Sequence, residues 1–252
     1  MRRVVLAGVV LAPFLYMGRI AIAARPDVLA ALPLGGFVLA SAVVAVAVMF
    51  GQVVTSATAG YAFARLRFAG RDRLFLAYLA VLAIPAIALV LPRFLLMEAL
   101  GWSHGYAGLI STELVSVTAI FLLRQVFRTL PRTLEDAARL EGAGEWTIFR
   151  RVVLPQARSA VALVLVLAFV EQWRSFLWPL VLARTGSPQV LEVGMADLQG
   201  AYALSGPNQI AVAALAVLPV AVICVLAHAA FVRGMLLPIP TGEQPIGSSA
   251  PR

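Results

Sequence analysis

Apolar residues run in long blocks separated by short polar connections. Six blocks are long enough to cross a bilayer: residues 4–24, 37–62, 74–97, 106–123, 160–182 and 210–232. The pattern predicts six transmembrane helices. The first follows Met1-Arg2-Arg3 like a secretory leader, but its ending, Ile20-Ala21-Ile22-Ala23-Ala24, is read as part of a retained anchor. Pro85, Pro92, Pro179 and Pro219 fall in or near these blocks, where a missing N–H and a ring clash predict kinks. Small residues recur at helical spacing, as in Ala57, Gly60 and Ala64, which lets helices approach closely.

Composition agrees with that reading. The 252 residues are 62% apolar and 13% charged, with a mean hydropathy of +0.93, against the roughly 25% charged residues of soluble domains. A soluble fold is excluded, and the expected class is an all-α polytopic membrane protein. Its twenty basic residues are all arginine, against twelve acids. Fifteen arginines fall at the amino terminus, at 65–73, at 124–158 and after 232, on one side of a six-span path. Both termini are therefore expected in the cytoplasm of a multi-pass cell-membrane protein, with 25–36, 98–105 and 184–209 on the opposite face. An arginine excess in so apolar a chain points to topology and the lipid bilayer rather than to nucleic acid. Cys224 is a single cysteine, His104 and His228 are far apart on the path, and the sequence has no Walker A loop, GxSxG elbow or CxxC pair. No catalytic residue, metal site or bound cofactor is expected, and the chain is read as a non-enzyme.

The longest charged connection, 124–158, is patterned. A helix is expected to begin at Thr133, which with Asp136 makes a capping-box-like start. Leu134, Ala137 and Ala138 share a small, shallow face, while Glu135 and Arg139 form a favourable i, i+4 pair on another. Gly142 suits a left-handed helix end, and Gly144 offers a further turn. A second segment from Glu145 puts Trp146, Phe149 and Val153 on one stripe before Pro155 interrupts it. The result is a helix-turn-helix elbow. One reading of it is a hairpin lying on lipid headgroups, with Trp146 and Phe149 dipping in and Arg150 and Arg151 meeting anionic lipid.

Asp136-Ala137-Ala138, three residues, Gly142, nine residues, then Val152-Val153-Leu154-Pro155 resembles the EAA loop of ABC-type import permeases. Further motifs resemble the carbohydrate importers of the maltose-transporter G-subunit type. These are the run from Ala59 to Gly70, Phe121 to Gln125, Phe176 to Leu180, and Phe231 to Gly234. The resemblance covers about Thr55 to Gly234 and implies a type I ABC importer permease fold. The chain is accordingly divided into a first helix and short outer loop (1–36), a permease core (37–234, EAA loop 130–156) and a cytoplasmic tail (235–252) whose Pro238, Pro240, Pro245 and Gly-Ser-Ser composition reads as disordered. The resemblance also implies a permease subunit, for sugars, that couples ATP hydrolysis on a separate ATPase pair to alternating access. Its other partners would be a second permease subunit, in a heterodimer, and an extracytoplasmic sugar-binding protein, with ATP-Mg held by the ATPase. Leu134, Glu135, Asp136, Ala137, Ala138, Arg139, Glu141, Gly142, Leu154 and Pro155 would form the coupling helix and its docking surface. Asp136 stands where the pattern has Glu, and Trp173-Arg174-Ser175-Phe176 where it has Trp-Asn-Glu-Phe.

Ionisable residues within spans face a bundle interior or a polar path. Glu171, Gln172, Trp173 and Arg174 are the translocation-path candidates, although Glu171 and Arg174 could instead neutralise each other. Glu113 is expected near the outer interface. The outward connection 184–209 is read either as an ordinary surface loop or as an approach for the binding protein. The competing function is a self-contained secondary transporter or channel, for which the 130–156 loop is only a surface hairpin.

Overall fold

The computed structural model describes residues 16–19, 33–183, 187–202 and 206–235, and the described elements are all helical. The expected first span, apart from residues 16–19, and the tail beyond 235 lie outside the described residues, as does the side chain of His228.

Helix α1, Leu34–Arg65, is the pillar of the fold. Its 32 residues run about 48 Å at 1.5 Å per residue, well beyond a roughly 30 Å hydrocarbon layer. Small side chains at Ala57, Gly60 and Ala64 bury one strip of it against α5, Val117–Thr129. At Gly60 a Cβ would sit 3.1 Å from the Arg124 backbone nitrogen and 3.2 Å from the Leu123 Cβ. Glycine sets this distance of approach.

The expected third, fourth and fifth spans are broken rather than continuous. Between α1 and α5 the chain passes through α2, Arg71–Ala80, α3, Val90–Ala99, and α4, Tyr106–Ser111. Arg71–Ala83 and Ala86–Ala99 meet at 97° around Pro85. Proline disfavours helical backbone in the residue before it, and Ile84 is accordingly extended, at φ −83° and ψ 119°. Residues 112–116 separate α4 from α5, and α1 satisfies the carbonyls freed there. Gln52 Nε2 donates to the Glu113 carbonyl at 2.8 Å and Thr55 Oγ1 to that of Leu114 at 2.7 Å. Ser116 caps α5 by accepting from the Ala119 N–H.

Beyond α5 come α6, Thr133–Leu140, α7, Glu145–Ile148, and a π-helical stretch, Phe149–Val153. Glu145–Gln156 then meets α8, Arg158–Trp173, at 81°. A break at 174–176 leads to α9, Leu177–Ala183. Pro92 and Pro179 occupy first turns of α3 and α9, where no donor is needed, so these prolines start helices and do not kink them. Pro219 lies inside α11, Gly206–Met235, which runs as one helix. Among the described residues, Leu34–Arg65 and Gly206–Val225 are long and apolar enough to cross a membrane, and the two bent pairs raise that number to four. The described residues do not form six unbroken spans.

Three clusters pack around α1. Its C-terminal half meets α5, the elbow and α8 through Tyr61, Leu123, Phe127, Ile148, Phe149 and Val153. Its N-terminal half meets α3, α4 and α9 through Val44, Val48, Met97, Leu109 and Trp178. Ala45 joins Phe169, Trp173 and Ala216 of α8 and α11. The 184–209 connection is no plain surface loop. It carries α10, Leu191–Tyr202, anchored where the Leu191 N–H donates to Ser41 Oγ at 2.7 Å and Gly194 lies on the Phe37 ring.

Gly60→Val is expected to destabilise the protein by about 1–3 kcal/mol through overpacking. Gly144, extended and with open space within 4 Å of where a Cβ would stand, is the control. A Gly60→Val protein in detergent that unfolds at the wild-type temperature would contradict the close α1–α5 crossing.

Candidate functional site

The elbow packs its inner face into the core and leaves its outer face bare. Ile148 and Val153 are fully buried and Phe149 nearly so, packed on α1, α5 and α8. The hairpin resting on headgroups is thereby replaced by an element built into the bundle. Trp146 leaves the expected stripe: it is 63% exposed, with its ring 5.3 Å from that of Phe149. The π-helical turns end at Leu154, which is half-buried, and Pro155, which is exposed. A proline ring at this point cannot continue an α-helical hydrogen-bond ladder.

α6 begins at Thr133, as expected, but without the capping box. Arg132 is its N-cap, with no side-chain cap bond, and Asp136 pairs instead with Arg139 at 2.9 Å. The C-terminal expectation holds in detail. Gly142 adopts φ +83°, its N–H reaches the Arg139 carbonyl at 3.0 Å, and the Ala143 N–H reaches that of Ala138 at 2.9 Å. These two bonds make a Schellman ending. Gly144 is extended, at φ −73° and ψ 158°, a conformation open to any residue. The predicted small face divides. Ala138 turns inward with Ala143 against the core, while Leu134 and Ala137 stay outside with Leu140, which is 92% exposed, and Glu141.

The expected i, i+4 pair of Glu135 with Arg139 forms, but Glu135 sits inside rather than on the surface. It is buried, with Oε1 3.0 Å from Arg65 Nε at the end of α1, and both side chains are almost wholly out of solvent. Arg139 Nη2 lies 3.5 Å from its other oxygen, and Arg65 Nη2 also donates to the Leu130 carbonyl at 2.6 Å. Arg139 Nε donates to Glu145 at 2.9 Å, and Glu145 accepts the Tyr61 hydroxyl at 2.7 Å. The Arg139 hydrogen bond, seconded by that of Tyr61, holds the Glu145 carboxyl below the usual carboxylate range against the opposing effect of burial. A lowered folded-state value contributes stability above the ordinary glutamate pKa of about 4.3, lost only as pH falls through the lowered value. Arg65, Glu135, Arg139 and Glu145 line a cleft of about 580 Å³ with Leu66, Arg67 and Phe68.

The four path candidates do not act as one strip. Glu171 and Arg174 are exposed and form no ion pair with each other, while Gln172 and Trp173 turn into the bundle. Trp173 stacks on Phe169 and donates from Nε1 to the Ala216 carbonyl at 2.9 Å, a structural role. Glu171 instead borders a small pocket with Gln52, Ser116 and Thr118, beside the α4–α5 break. Glu113 pairs with Arg93, whose guanidinium lies 4.3 Å from the centre of the Trp178 ring. Sequence reasoning missed Tyr61, Arg65 and Glu145 as members of the elbow site, and Gln52 and Thr55 as caps. Tyr61 and Arg65 stood within a recognised motif, but nothing in their spacing pointed to partners 70 to 84 positions away.

Residues 53–235 match the family described as binding-protein-dependent transport system inner membrane component. The arabinooligosaccharides transport system permease protein AraQ of Halalkalibacterium halodurans is 31% identical over 192 residues, 76% of this chain and 69% of that protein. The sn-glycerol-3-phosphate transport system permease protein UgpE of Agrobacterium fabrum is 33% identical over 198 residues, 78% and 70% of the two chains. A crystal structure of a bacterial ABC transporter involved in the import of the acidic polysaccharide alginate shares the fold. Its TM-score is 0.72 over 90% of this chain and 92% of that one, at 22% identity.

Breaking the buried pair with Glu135→Ala should cost about 3–5 kcal/mol, because Arg65 is left charged and unpaired, whereas Arg65→Met with Glu135→Leu should recover most of that loss. Thermal unfolding in detergent checks the order, and a double variant no more stable than Glu135→Ala would remove the pair from the account. Gly142→Leu should destabilise the elbow by about 1–3 kcal/mol through its positive φ.

Proposed function

The chain belongs to the family of binding-protein-dependent transport system inner membrane components, the permease subunits of ABC importers, and we propose that it conducts a sugar or sugar derivative into the cell. It spans the membrane and is not itself the ATPase. The relatives named for arabinooligosaccharides and sn-glycerol-3-phosphate support a carbohydrate-like solute. In this reading the chain pairs with a different permease subunit and receives its solute from an extracytoplasmic binding protein. Both termini lie in the cytoplasm, and ATP-Mg stays on the partner ATPase.

One observation carries the coupling role. α6 offers Leu134, Ala137 and Leu140 to solvent on one side, while Glu135 ties its other side to Arg65. An apolar face on a helix fixed to the bundle suits a groove on the ATPase. When the ATPase dimer closes it pushes α6, and the ion pair passes the load to α1 as the bundle changes between inward- and outward-open states. Asp136 is already paired with Arg139, so apolar fit carries the docking and an intermolecular ion pair is secondary. Glu171 and Arg174 face the path as exposed charges, and Gln172 and Trp173 support them from inside the bundle.

Leu134→Asp with Leu140→Asp is expected to abolish co-purification of the ATPase and coupled transport, while leaving the unfolding temperature of the permease unchanged. Stoichiometric retention of the ATPase by that variant would overturn the docking face. For the path, Arg174→Ala should alter transport or solute preference with the complex intact, and loss of assembly would instead make Arg174 structural.

A further inference from the structure

We propose that the arginine-lined cavity between the C-terminal ends of α1 and α5 binds the phosphate of an anionic phospholipid. The cavity, about 450 Å³, is lined by Phe63, Ala64, Arg71, Asp72, Arg124, Arg128 and Arg132. Four guanidiniums thus face one carboxylate, and that carboxylate is already engaged: Asp72 pairs with Arg71 at 3.1 Å and with Arg124 at 3.5 Å. Arg124 is further held by the Phe63 carbonyl and by the face of Phe75, 3.8 Å from the ring centre. Arg128 and Arg132 are exposed and, among the described residues, take part in none of the ion pairs or side-chain hydrogen bonds, and with four guanidiniums against one carboxylate the cavity keeps a net positive charge. A guanidinium fork matches phosphate oxygens in pairs, and two free forks above a buried third suit an anion with several acceptor oxygens.

The surroundings favour lipid over a soluble anion. The helix that supplies Arg71 and Asp72 carries Leu74 and Leu76 one turn further on, 55% and 69% exposed. Phe68, also exposed, closes the same end. An anionic cavity occupant would therefore have apolar surface beside it for acyl chains, at the end of the spans where basic pockets between helices take anionic headgroups. The apolar face of α6 lies elsewhere, on Leu134, Ala137 and Leu140, so the site is distinct from the ATPase docking surface. The inference rests on the chain spanning a membrane but not on which solute it carries.

The test is native mass spectrometry of the intact transporter purified with its partner subunits. The complex is exchanged into phosphatidylcholine nanodiscs with and without phosphatidylglycerol, for wild type, for Arg128→Gln with Arg132→Gln, and for Arg150→Gln with Arg151→Gln as an equal loss of charge elsewhere. Retained phosphatidylglycerol is expected to fall by about tenfold or more in the first variant and to stay at the wild-type level in the second, with inorganic phosphate at millimolar concentration unable to displace it. Equal retention by all three proteins would overturn the site, as would equal losses in the two variants, which would mean diffuse surface charge. Displacement by inorganic phosphate would transfer the cavity to a soluble anion. Loss of the ATPase from the first variant with lipid retained would transfer it to an acidic protein segment.

Discussion

A carboxylate and a guanidinium removed from water, Glu135 and Arg65, join the elbow to the pillar of the bundle. Burying such a pair is costly unless their remaining hydrogen-bonding positions are occupied. Here the Leu130 carbonyl accepts from the far end of Arg65 and Arg139 adds a longer ion pair at the second Glu135 oxygen, while Arg65 Nε and Glu135 Oε1 meet as charges without a hydrogen bond between them. Sliding α6 along the bundle would separate two buried charges, so α6 and the end of α1 move together. Tyr61, one turn before Arg65, reaches Glu145 beyond the Gly142 turn, so both arms of the elbow are tied to the same helix.

That helix is also the unbroken neighbour of a set of broken ones. Between α2 and α3, α4 and α5, and α8 and α9 the backbone leaves regular geometry, and in a membrane the freed carbonyls need internal donors. Gln52 and Thr55 supply two of them at the α4–α5 break, and Ser41 receives the N–H that opens α10. Displacing the end of α1 thus acts on the same rod that satisfies the breaks at membrane depth. Glu171 stands beside the α4–α5 break. A tie at one end and irregular backbone in the middle would give a push on α6 a physical route to the backbone beside Glu171.

The sequence exposed the class, the elbow and its glycine, because each is local. Apolar block length reports on the bilayer, and a helix end at Gly142 is governed by one residue's φ. Burial within the elbow was less legible. Ala137 and Ala138 are adjacent and chemically identical, yet one faces solvent and the other the core, a choice set by where α1 lies. Glu135 and Arg139 have the spacing of a surface pair, and only the arrival of Arg65 from a distant helix changes the role of Glu135. Span continuity failed for the opposite reason. Pro85 was visible, but the 97° break it brings is flanked by exposed 3-10 turns that bond locally, Ile84 N–H to the Val81 carbonyl and Ala88 N–H to that of Pro85, and helical periodicity does not announce such turns.

Arg132 brings the two basic regions into one mechanical unit. It is the N-cap of α6, and it lines both the cleft of the elbow and the arginine cavity between α1 and α5. A phosphate held there would restrain the start of α6 from the membrane side, and the docking proposed for the ATPase would use its outer face. The two proposed contacts would use different chemistry on different surfaces and would not compete. Lipid charge would then act on the start of α6 without contact with the proposed path residues, since neither Glu171 nor Arg174 borders the cavity.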